Sequence, residues 1–151
     1  MKGVLELAKS FRAALAVTPR RSLCTSLAYT SFPNACCDDA SLLLAAYLSD
    51  NGLQGSTRVH GVHGGHSGEL RSHVWLQYNN TIIDITADQF SGYGIAPVLV
   101  TNQSSFHDSF ELESRSIADF RLKFADDKEW LSKFSNDYET IFANIMVAAI
   151  R

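Results

Sequence analysis

Cys37, His73 and Asp84 supply, in chain order, a thiol, an imidazole and a carboxylate. A carboxylate that holds an imidazole fixes its tautomer and stabilises the imidazolium, and the imidazole can then take a proton from a nucleophile. If local structure brings the three together, they could attack an amide carbonyl. Two stretches must then do the positioning: a helix that presents Cys37 and a hairpin that carries His73 and Asp84.

The hairpin is legible. His73-Val-Trp-Leu-Gln-Tyr78 and Thr81-Ile-Ile-Asp-Ile-Thr86 are β-prone runs separated by Asn79-Asn80, and Asn tolerates the positive φ of a two-residue turn. That turn pairs Tyr78 with Thr81, Leu76 with Ile83 and Val74 with Ile85. Val74, Leu76, Ile83 and Ile85 then share one face, which must look into the core. The other face carries His73, Trp75, Gln77, Ile82 and Asp84, with Asp84 across from Trp75 and diagonal to His73, about 7–8 Å apart along the backbone. A slip of one residue would separate them.

Upstream, Ala40, Leu43, Leu44, Tyr47 and Leu48 recur at helical spacing, and Asp50-Asn51-Gly52 supplies a stop, so a helix is expected over 36–50. Cys37 falls in its first turn, where free N–H groups and the dipole favour a thiolate. Asp38 and Asp39 oppose that effect, so a neighbouring His is needed.

These residues resemble the transglutaminase-like branch of the papain-like cysteine enzymes. Cys37, Asp39, Ser41, Leu43 and Gly52 match the pattern of a Cys opening a helix, and His73-Val-Trp and Asp84-Ile-Thr match its two strands, over roughly residues 31–90. Cys36 competes with Cys37, and the spacing to Gly52 and Asp39 favours Cys37. The resemblance implies an α+β fold, with the Cys helix packed on a small antiparallel sheet and terminal helices covering it. It also implies cysteine-dependent hydrolysis or acyl transfer on a peptide or protein, as in a protease, deamidase or transglutaminase, with no cofactor. Cys37 would be the nucleophile, His73 the base and then acid, and Asp84 the orienting carboxylate. Trp75 would wall the substrate groove, and Asn34 and Gln54 are candidates for contacts to substrate or oxyanion.

Two other readings compete. The same fold could serve as a catalytically inactive protein-binding module. His60, His63 and His66, with His73 and the Cys pair, could instead hold a metal. The Gly-rich stretch Gly61–Gly68 makes a helix there improbable and reads as a mobile flap before His73.

Elsewhere, Val4, Leu5, Ala8, Phe11 and Leu15 predict an N-terminal helix ended by Pro19, Val98–Thr101 reads as a short strand, and 117–151 reads as mostly helical, with a stripe of Trp130, Phe134, Tyr138, Ile141, Phe142 and Ile145. The chain's 151 residues, 46% hydrophobic, suit one globular domain rather than a disordered chain. A net charge of −3 leaves no broad basic footprint for nucleic acid. No apolar run approaches a membrane span, and Glu6, Lys9 and Arg12 break up a secretory leader. Three Cys, two of them adjacent, argue against a disulfide framework and for a reducing, cytoplasmic setting. Nothing in the sequence fixes the oligomeric state.

Overall fold

The computed structural model describes residues 3–150. The elements run α1 (Val4–Val17), α2 (Cys37–Asp50), β1 (Thr57–Gly64), β2 (Leu70–Tyr78), β3 (Thr81–Asp84), β4 (Leu99–Thr101), α3 (Ser105–Asp108), β5 (Glu111–Ile117), α4 (Phe120–Lys123) and α5 (Lys128–Ile150). The strands form one antiparallel sheet in the order β4-β3-β2-β1-β5, with helices packed on it. The architecture is therefore α+β.

The expected hairpin register is present: Tyr78 pairs with Thr81 and Leu76 with Ile83, and Asn79 takes φ 53 in the turn. Because side chains alternate, the sheet has two different faces. Leu76 and Ile83, with Ile85 just beyond β3, join α1, α2 and α5 in the large hydrophobic core. Val59, Trp75 and Ile82 lie on the opposite face, in a smaller aromatic cluster with Phe106 and Phe110.

The helix over Cys37–Asp50 is apolar beyond its expected stripe. Ala40 through Leu48 are all buried, because α1, β2, α4 and α5 all pack against it. A helix enclosed in this way has no need of a polar face. In α1 the buried residues are Leu7, Ala8, Phe11, Ala14 and Leu15, while Leu5 is exposed. The C-terminal stripe seats Phe134, Tyr138, Ile141 and Ile145, and leaves Trp130 and Phe142 at the surface.

One expectation is corrected by the sheet, and one strand is added to it. Residues 61–72 are not a mobile flap: Gly61 pairs with His73, Val62 with Ser72 and Gly64 with Leu70, so β1 and β2 form a hairpin. Its glycines serve close packing. A Cβ on Gly61 would come within 2.6 Å of Phe110 Cβ, and one on Gly64 within 2.4 Å of the Phe110 ring. The turn beyond is tied down, since Glu69 accepts from Ser67 and from the Tyr93 hydroxyl, and His66 stacks on Tyr93. Residues 111–117 form the outer strand β5, which pairs with β1. No helix among the described residues is long and apolar enough to cross a membrane.

Candidate functional site

Three buried polar side chains converge beneath the aromatic cluster. His73 is contributed by β2, Asp84 by the end of β3, and His107 by the single turn of α3. Their exposures of 0%, 2% and 4% place all three out of contact with bulk water. Burial at this level is tolerable only if the polar atoms are paired.

Asp84 Oδ2 accepts from both rings: His73 Nε2 lies at 2.6 Å and His107 Nε2 at 2.7 Å. The other carboxylate oxygen, Oδ1, accepts from the Thr86 backbone N–H at 2.9 Å. His107 is fixed from behind by Ser104, whose Oγ lies 2.6 Å from Nδ1 and also accepts the His107 backbone N–H at 3.2 Å. With Nε2 donating to Asp84, the Ser104 hydroxyl donates to Nδ1, a proton placement assigned from the hydrogen-bond network.

Aromatic rings wall the cluster. Phe90 meets His73 edge-on at 5.0 Å, Trp75 lies 4.8 Å from His107, and Phe106 lies 5.1 Å from His107. A cleft of about 220 Å³, lined by Val59, Trp75, Gln77, Phe110 and Arg115 among others, reaches the His107 side.

Charge follows from this packing. Burial alone would depress the His73 pKa, but the Asp84 charge and hydrogen bond, with a smaller push from Cys37, raise it to about 10. Burial would likewise raise Asp84, yet the His73 charge and the hydrogen bonds from both rings hold its pKa well below the usual carboxylate range. Both shifts, upward for His73 and downward for Asp84, run in the direction that favours the charged form of each partner.

The thiol triad is corrected by this arrangement. Among the described residues, the cluster that could act as a unit is His73, Asp84 and His107, and none of Cys24, Cys36 and Cys37 belongs to it. Asp84 is shared between two imidazoles and is not dedicated to orienting one base. Cys37 is the first residue of α2 and sits beside His73, but the buried Nδ1 of His73 has no partner at hydrogen-bond geometry. Burial pushes the Cys36 thiol up to about 11, the wrong direction for a nucleophile. The reading as a thiol protease, hydrolase or acyltransferase with a Cys37–His73–Asp84 catalytic triad is therefore set aside.

The remaining expected site residues are dispersed. Trp75 is 6% exposed and packs on both imidazoles, and its edge lines the small cleft that reaches His107. Asn34 is exposed and donates to Ser31 O at 3.0 Å. Gln54 is exposed beside β5, in a different groove. The competing metal reading on His60, His63 and His66 with His73 and the Cys pair is not assembled among the described residues: His63 faces Glu111 at 3.4 Å, and His66 stacks on Tyr93. His107 is the member of the cluster that sequence reasoning missed; Ser104 three residues ahead has the spacing of a helix N-cap, which marks the turn but not its approach to Asp84.

No family model matches the chain, and neither a curated protein nor a solved structure shows significant similarity to it.

Proposed function

We propose that the chain is a metal-binding domain on a transglutaminase-like scaffold, in which His73, Asp84 and His107 hold one divalent transition-metal ion. The observation that carries this reading is the convergence of two imidazole nitrogens and a carboxylate oxygen within 4.8 Å of one another, all buried. Two imidazoles and one carboxylate are a donor set that Zn2+ accepts with its fourth position left to another donor. Support comes from the outer contacts: Thr86 steadies Asp84, and Ser104 steadies His107, as partners behind metal ligands commonly do. The cleft beside His107 supplies an entry path.

Binding has a defined cost in protons. An ion bound at the two Nε2 atoms displaces the N–H protons that now point at Asp84: in His107 the proton moves to Nδ1, which then donates to Ser104 Oγ, while the extra proton of His73 is released, so binding weakens as pH falls. A second reading rests on the same contacts: at 2.6 and 2.7 Å the hydrogen bonds already cross-link β2, β3 and α3, so the cluster could be a metal-free staple.

Titration of protein without a His tag with ZnCl2, read by calorimetry and by thermal melting, separates the two. The metal reading expects one ion per chain, a rise in Tm, and loss of both in His107→Ala at unchanged circular dichroism. Absence of stoichiometric binding with no change in Tm would overturn it in favour of the staple.

A further inference from the structure

A second groove lies between α2, the lead into β1, the end of β5 and α4. Its volume is about 760 Å³, and none of His73, Asp84 and His107 lines it. Small-molecule sites occupy roughly 300–1,000 Å³, so the groove is of a size to take one. Ala45, Ile117 and Leu122 give it apolar walls, and Ile117 and Leu122 are 58% and 64% exposed.

Its polar groups set it apart. Among the described residues three buried side-chain polar atoms have no hydrogen-bond partner: His73 Nδ1, Ser56 Oγ and Ser116 Oγ. Both serines line this one groove. Ser116 pairs with Arg58, and Ser56 stands two residues before Arg58, so the alternation of side chains brings both serines to the same face of the sheet. Arg58 reaches Asp38 of α2 from that face, and Ala45 and Ser49 of the same helix line the groove with them. A buried hydroxyl is normally paired, because an unpaired one forfeits the hydrogen bonds it made to water. Ser56 is 9% exposed, and no protein group relieves either serine.

The charged side chains around the groove are engaged with one another. Arg121 donates through Nε and Nη2 to the two oxygens of Asp119 at 3.0 and 2.9 Å, and through Nη1 to Asp50 at 2.8 Å. Arg115 donates to Gln77 at 3.1 Å. Counting Asp50, two guanidinium groups are matched by two carboxylates. An ionic head entering here would lose hydration without meeting a net counter-charge.

We propose that this groove binds one uncharged amphipathic small molecule, a carboxamide carried on an apolar chain or ring. A carboxamide offers a carbonyl oxygen and an NH2 group, so it accepts from one serine hydroxyl and donates to the other. Its apolar body covers Ile117 and Leu122 and takes their surface out of water.

Titration of the 15N-labelled full chain with hexanamide, followed by NMR, tests this. Saturable shifts are expected at Ser56, Ser116 and Ile117, with a dissociation constant of about 1 mM or below. Hexanoate and hexylammonium, of the same length but charged, should bind about tenfold more weakly or worse. Ser56→Ala and Ser116→Ala should each weaken hexanamide about tenfold while leaving Tm equal to or above that of wild type, since each removes a hydroxyl the fold leaves unpaired. Absence of saturable shifts, equal binding of the charged probes, or alanine variants that bind as wild type does would each overturn the proposal. A clear fall in Tm in both alanine variants would overturn it too, by showing that the hydroxyls serve the fold.

Discussion

The two faces of the sheet are built on opposite physical terms. One is predominantly hydrophobic: Leu76, Ile83 and Ile85 pack against the apolar side chains of α1, α2 and α5, and buried apolar area dominates there. The other is a small box of Val59, Trp75, Phe106 and Phe110 closed over three polar side chains that must satisfy one another. Hydrophobic packing degrades gradually, because each side chain contributes through its own buried area. The polar cluster is conditional, since an imidazolium without its carboxylate becomes an uncompensated buried charge.

The sharpest way to break this contrast is Asp84→Ala, which strands the charged His73 and removes the acceptor of His107. It should cost about 3–5 kcal/mol by urea denaturation. In the hydrophobic core, Leu43→Ala should cost about 2–5 kcal/mol by creating a cavity, while leaving the histidine NMR signals of the cluster in place. Between the faces, Gly64→Ala should cost about 1–3 kcal/mol, because the new Cβ collides with the Phe110 ring. An unchanged urea midpoint for Gly64→Ala would show that Phe110 moves freely and that the aromatic box is loosely packed.

The pH dependence is the effect most specific to the polar face. His73 has its pKa raised from 6.5 to about 10, so its contribution to stability is complete below pH 6.5 and fades as pH rises towards 10. Asp84 is depressed from 3.8, so its contribution is present above pH 3.8 and lost as pH falls further. In metal-free protein the pair therefore stabilises most between these limits. Urea midpoints at pH 6 and pH 9.5 should fall more in wild type than in Asp84→Asn, which lacks the charge partner. Saturating Zn2+ should reverse the trend, since the ion competes with protons at the same nitrogens.

Where one side of an element is buried, the sequence shows it plainly. The turn at Asn79-Asn80, the apolar face of β2 and β3, and the helix stop at Asn51-Gly52 all follow from local rules, and with them the approach of His73 to Asp84. What escaped was set by distant packing. His107 sits in a one-turn helix, and nothing in its neighbourhood announces that the chain returns to Asp84. The strand β5 is exposed on both sides, so the alternation that reveals a half-buried strand is absent. The Gly-rich stretch read as a flap because the pattern gives no hint that Phe110 needs the space above Gly61 and Gly64.

The central claim is that His73, Asp84 and His107 form one metal-holding unit that excludes the cysteines. Anomalous diffraction at the zinc edge, from crystals grown with Zn2+, tests it most directly. The account predicts a single strong peak in contact with His73 Nε2, His107 Nε2 and Asp84 Oδ2. A peak at Cys36, Cys37, His63 or His66 with none at Asp84, or no peak in the protein at all, would contradict it.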